Sequence, residues 1–230
     1  MYINSQTNAL PIIKAMMTLQ ANANNAGKPD WLTNPPPYLR AAYVESGECM
    51  DWLNFKWWKG GDANMPEAII EMIDILHFYL SQEIINQNGD MDLAAKFVVG
   101  QLSNFSPAGS FMFDGLNYSF TDLDILRKVE LLGGLATVRR TEWGLFASIM
   151  TEMNVDFDEL YRLYTGKNSL NLLRSRHGYK NGTYVKIWDD GEEDNVHLNR
   201  FMETLPLDGQ LYEKISTLME DYYVNNVKKP

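Results

Sequence analysis

Apolar residues recur at three- and four-residue intervals along most of the chain, and alternating β-branched runs are few. That periodicity predicts helices. A first helix is expected over residues 7–25, with Leu10, Ile13, Met17 and Leu19 as core positions. Pro29 and the triplet Pro35 to Pro37 end it and hold a linker open. A second helix is expected from Tyr38 to Trp58, stopped by Gly60 and Gly61. A third opens near Pro66, a position in the first turn that tolerates proline, and runs to Gln87 before Asn88-Gly89-Asp90.

Residues 91–120 are less regular, with turn signals at Ser106-Pro107-Ala108-Gly109 and Asp114-Gly115 among aromatics. They predict a short helix and then a loop or lid. One or two helices are expected over 121–153, opened by Thr121 as N-cap with Asp124 three residues on, and broken at Gly133-Gly134. Further helices are expected over 156–176 and 209–226, with a loop or short hairpin at 177–199. The expected fold is all-α: a helical bundle forming one domain over 1–230, with 91–153 as a smaller, variable and mobile helical portion.

Within this pattern two helices each carry a pair of acids. The second holds Glu45-Ser-Gly-Glu48 and the third Glu71-Met-Ile-Asp74. Residues three apart share a helix face, so each pair presents its carboxylates side by side. Glu71 and Asp74 lie in Ala68 to Leu76, which is apolar nearly all round and so expected to be buried. Neighbouring buried acids repel unless a cation lies between them or a proton is taken up. Two facing pairs would give four oxygen donors at one spot, a set suited to Mg2+. Asp51 extends the first stripe, as an orienting group or an ordinary surface acid. His77 extends the second, as a core histidine or a ligand. His77 admits a rival, a di-iron carboxylate oxidoreductase, through Asp74-x-x-His77 and Asp194-x-x-His197. The second of these lies in a turn-rich segment, which weakens the match.

Charge changes the picture next. The 230 residues carry a formal net charge of -10, which disfavours nucleic-acid polymers and anionic membranes as partners. Yet Arg162 to Lys186 contains Arg162, Lys167, Arg174, Arg176, Lys180 and Lys186 and no acid. Lys167, Asn171 and Arg174 share a helix face, and Gly178-Tyr179-Lys180 with Gly182 forms a turn able to close over a ligand. Such a segment suits phosphate oxygens; its alternative role is to balance negative charge elsewhere. Carboxylates for a metal and cations for phosphate fit metal-assisted phosphoanhydride hydrolysis. Walker A, nucleophile-elbow and Cys/His metal patterns are missing. A single cysteine, Cys49, rules out an internal disulfide and fits a reducing, cytoplasmic setting. No apolar run approaches the ~20 residues of a membrane helix.

Trp57 and Trp58 follow the first acid pair and could stack on a nucleobase or belong to the core. Gln20 and Asn24, four apart, offer amide donors and acceptors for a base edge.

Three stretches carry a family likeness: Glu45-x-x-Glu48 with Phe55-Lys-Trp-Trp-Lys59; Glu71-x-x-Asp74-x-x-His77-Phe78; and Lys167-Asn168-x-Leu170-Asn171-x-x-Arg174 through Gly178-Tyr179-Lys180-x-Gly182-x-Tyr184-x-Lys186 to Glu193-Asp194-Asn195. The chain resembles the dimeric all-α dUTPases, relatives of the MazG-like nucleotide pyrophosphatases found in kinetoplastids, some bacteria and many phages. The third stretch decides for dUTPase within the wider superfamily. The resemblance implies that Glu45, Glu48, Glu71 and Asp74 bind Mg2+ and that Glu48 orients or deprotonates the attacking water. It implies that Lys167, Asn171, Arg174, Tyr179, Lys180 and Lys186 hold phosphates and sugar, and that Gln20, Asn24 and Trp57 or Trp58 hold the base. Water would attack the β-phosphorus, so that dUTP and dUDP both give dUMP in a homodimer with shared active sites. A phage origin would make the setting a host cytoplasm, with a host regulatory protein as a further partner. A dCTP or broader dNTP pyrophosphatase and a regulator-binding interaction protein remain the other readings.

Overall fold

A computed structural model describes residue 3 and residues 8–227. Among them are nine α-helices and one two-stranded hairpin, so the bundle is all-α in substance, as the periodicity predicts. The helices are α1 (Ala9–Gly27), α2 (Tyr38–Trp52), α3 (Met65–Asn86), α4 (Met91–Ser103), α5 (Ile125–Thr137), α6 (Trp143–Glu152), α7 (Phe157–Arg176), α8 (Asp194–Thr204) and α9 (Leu211–Tyr222). The hairpin strands β1 (Ser110–Phe113) and β2 (Leu116–Ser119) pair antiparallel between α4 and α5. The expected start of the first helix, residue 7, lies outside the described residues. No helix among the described residues is long and apolar enough to cross a membrane.

Local chemistry sets the helix boundaries. The Asn64 side chain accepts from Glu67 N at 3.4 Å with Pro66 in the first turn of α3, and Asp156 caps α7 by accepting from Glu159 N at 2.8 Å. The cap expected at Thr121 is instead Asp124, whose carboxylate accepts from Arg127 N at 2.8 Å. Helix α2 ends at Trp52, short of the expected Trp58, because Asn54 turns the chain with a positive φ of 58°. The Gly133-Gly134 pair does not break α5. It lets the helix lie against α2, since a Cβ at Gly133 would stand 2.3 Å from Ser46 Oγ.

The expected loop or lid after α4 is the β-hairpin, closed by Asp114-Gly115, both with positive φ. Residues 91–153 bury Val98, Phe111, Leu132, Trp143 and Phe146 in the same large core as α1, α2 and α3. A second, smaller apolar cluster sits at the C-terminal end, where Leu170 and Leu173 of α7 meet Trp188, Leu198, Ile215 and Tyr223. Helix α7 therefore spans both clusters, packing on α1 and α3 and on α8 and α9. The segment 177–199 contains an isolated antiparallel bridge between Ile187 and Glu193, but its last residues already form α8.

Candidate functional site

Helices α2, α3 and α7 converge on three carboxylates. One oxygen from each of Glu45, Glu71 and Asp74 lies within 4.8 Å of the others, and all three groups are half-buried. Glu71 accepts from the Trp52 indole Nε1 at 3.0 Å. Asp74 is paired with the almost wholly buried Lys167 at 2.9 Å. Burial, and then the charges of Asp74, Glu48 and Glu71, push the Glu45 carboxyl up to about 7. Burial also raises Glu71, against the Trp52 hydrogen bond that lowers it. The trio has the donor chemistry of a hard-cation site: oxygen only, close together and anionic.

Glu48 stands apart from this trio. It is exposed and lines an open cleft of about 610 Å³ with Asp51, Trp52, Asn54 and Asp62. Its charge still acts on Glu45 and Glu71. Asp51 is taken up by an ion pair with Lys56. A second cleft, of about 620 Å³, runs from Ile70 on α3 past Lys167 to Met202 on α8. Lys167 thus lines one cleft, and Glu48 and Trp52 line the other.

His77 is buried, and its Nδ1–H donates to Ile73 O at 2.8 Å. Desolvation lowers its pKa, so the ring is neutral and Nε2 carries the free lone pair. The ring stacks on Tyr164 at 4.4 Å, and Nε2 has no hydrogen-bond partner among the described residues. Asp194 and His197 do not join the carboxylates. They lie in the first turns of α8, where Asp194 binds Arg174 and His197 binds Asp190. The segment expected to be turn-rich and unhelical is therefore helical there, yet a second Asp-x-x-His arm for a di-iron centre is not brought to the trio.

The amide pair lies at the other side of His77. Gln20 Nε2 donates to Asn24 Oδ1 at 3.1 Å, and Asn24 Nδ2 donates to Ser81 Oγ at 3.0 Å. Tyr164 OH reaches Gln20 Oε1 at 3.0 Å. Trp57 and Trp58 fall in the loop after α2 and are 87% and 59% exposed, so they are surface aromatics and not core.

The basic stretch is less open than its composition implies. Arg174 makes two hydrogen bonds of 2.8 Å to the fully buried Asp194, which also accepts from Tyr184 OH at 2.9 Å. Lys186 pairs with Glu193 at 2.9 Å, Arg162 with Glu159 at 3.7 Å and Arg176 with Glu220 at 3.7 Å. Asn171 is half-buried on α7. The turn Tyr179–Asn181 is bracketed by Gly178 and Gly182, both with positive φ, and leaves Tyr179 and Lys180 exposed. Lys180 Nζ donates to Gly27 O at 3.4 Å, which brings this turn to the end of α1, close in sequence to Asn24.

Three participants have no place in the sequence reading: Trp52, Ser81 and Tyr164. Each does follow a helical stripe from a candidate residue. Trp52 is four beyond Glu48, Ser81 four beyond His77, and Tyr164 three before Lys167.

Residues 12–179, well over half the chain, match a protein-family model described as dUTPase. No curated protein matches the chain.

Proposed function

Since the chain belongs to the all-α dUTPase family and is a dUTP diphosphatase, we propose that it works with Mg2+ held by Glu45, Glu71 and Asp74, with Glu48 at the edge of the site. The observation that carries this reading is the close carboxylate trio, in which burial and the neighbouring acids push the Glu45 carboxyl up to about 7. Bound there, Mg2+ would supply Lewis acidity toward phosphoryl oxygens and a water acidic enough to attack at neutral pH.

The chain's own groups do the rest. Glu48, exposed yet within electrostatic reach of the trio, orients the attacking water and takes its proton. Trp52 holds Glu71 in place through its indole N–H. Lys167 pairs with Asp74, and with a cation held by the trio it would be the group placed to meet a phosphate oxygen. Asn171, Tyr179 and Lys180 complete the phosphate and sugar contacts. Arg174 and Lys186 already have acid partners and reach phosphate only by exchanging them. Gln20 and Asn24 meet the uracil edge, and the exposed Trp57 or Trp58 stacks on its face. Both dUTP and dUDP give dUMP, and a second copy of the chain covers part of the site in a homodimer.

The test is release of pyrophosphate from dUTP and of phosphate from dUDP, with and without Mg2+, for wild type and Glu48→Gln. Mg2+-dependent turnover of both, lost in the variant, is expected. Full turnover in chelator would remove the metal assignment, and wild-type rates in Glu48→Gln would remove the role of Glu48.

A further inference from the structure

Four side chains from α1, α3 and α7 form one unbroken hydrogen-bonded chain. Ser81 Oγ donates to His77 O at 2.9 Å, Asn24 Nδ2 to Ser81 Oγ at 3.0 Å, and Gln20 Nε2 to Asn24 Oδ1 at 3.1 Å. Tyr164 OH closes the far end, 3.0 Å from Gln20 Oε1 and 2.9 Å from Met16 O. Ser81 and Tyr164 are 0% exposed and Gln20 5%.

A hydroxyl has one proton, and an amide has a donor end and an acceptor end. If Asn24 turned alone, its Nδ2 would face Gln20 Nε2, donor against donor, and its Oδ1 would face a Ser81 oxygen whose proton is already given away. A buried mismatch of this kind costs more than an ordinary hydrogen bond returns. The two amides therefore turn together or not at all. The end members have a choice of partner: Ser81 has His77 O, the amide and the Tyr38 hydroxyl beside it, and Tyr164 has Met16 O, the amide and the Asn168 side chain. The polarity of the whole chain is decided at these two hydroxyls.

We propose that Ser81 and Tyr164 are positioning residues that lock the Gln20–Asn24 pair in one polarity and so set which pyrimidine the site accepts. The proposal rests on the reading above that Gln20 and Asn24 meet the base. Uracil presents acceptor, donor, acceptor along its pairing edge, whereas cytosine presents acceptor, acceptor, donor. In the observed polarity each amide keeps one N–H and one oxygen lone pair free, at defined ends. Reversing the pair exchanges those ends and favours the other edge. Removing either terminal hydroxyl frees one end of the chain, so that the two amides can turn together, and discrimination falls.

The experiment is steady-state kinetics on dUTP and dCTP with Mg2+ for the full chain, comparing wild type, Ser81→Ala, Ser81→Thr, Tyr164→Phe and Gln20→Ala. The ratio of kcat/KM for dUTP over dCTP is expected to fall roughly tenfold or more in Ser81→Ala and in Tyr164→Phe. The loss should lie in KM for dUTP more than in kcat, and Ser81→Thr, which keeps the hydroxyl, should restore the ratio. If Tyr164→Phe does not fold, Ser81→Ala decides, alanine being favourable in a helix. A lowered ratio in Gln20→Ala with wild-type ratios in the folded hydroxyl variants overturns the lock alone. A wild-type ratio in Gln20→Ala overturns the base-site reading and the lock with it.

Discussion

Two regions of this molecule handle charge in opposite ways. Around the α2–α3 hairpin, three carboxylates crowd together with a single lysine for company. Along α7 and the turn after it, nearly every cation has its own acid. Arg174 has Asp194, Lys186 has Glu193, Arg176 has Glu220 and Arg162 has Glu159. The first region has more acid than base, and burial with the repulsion of neighbouring acids pushes its Glu45 carboxyl up to about 7. The second is almost complete and serves in large part to hold α8 and α9 against α7. Uncompensated charge, more than charge itself, separates the proposed metal site from the paired region.

The sharpest test of that contrast is Asp194→Ala. It leaves Arg174 nearly buried without a partner, and a broken buried pair costs about 3–5 kcal/mol. The melting temperature should drop by roughly ten degrees. A change of only a degree or two would show that the pair is not a clamp. Next comes Asp74→Asn, which should lower dUTP turnover by at least ~10²-fold. Normal turnover would show that the trio is not where the metal acts.

A third test uses pH. The Glu45 carboxyl sits at about 7 in the fold against 4.5 for an ordinary glutamate. Between those values the folded chain keeps a proton that the unfolded chain has released. The metal-free protein should therefore lose stability as pH rises from about 4.5 to about 7, with no further change from this group above that. The expected fall is on the order of a few degrees, since the group is only half-buried. Mg2+ should raise the melting temperature more at pH 7.5 than at pH 5, and an equal increment at both would break the argument. The smallest effect belongs to Lys186→Ala. Its ion pair with Glu193 is exposed on both sides, so stability should change by less than ~1 kcal/mol in denaturant titration.

Much of this arrangement is legible in the residues. The helical periodicity marks α1, α3 and α7, and the i, i+3 acid pairs bring Glu45, Glu71 and Asp74 to one place because each lies on the face its helix turns toward the other. The boundaries are less legible. Asp124 takes over the cap expected at Thr121, and Asn54 ends α2 early, so Trp57 and Trp58 become surface groups in a loop. Such choices depend on single backbone angles that several residues could adopt.

By itself the sequence determines an all-α chain with clustered acids and a dUTPase signature, because periodicity, spacing and motif are properties of the order of residues. Only the tertiary structure decides which charges remain uncompensated. The stretch from Arg162 to Lys186 has no acid of its own, yet acids from α3, α7, α8, α9 and the preceding turn meet it in space. The link from Gln20 and Asn24 to Ser81 and Tyr164 joins positions 57 and 144 residues apart. Coulomb energy and hydrogen bonding act through distance in space and not along the chain, so local sequence cannot reveal either.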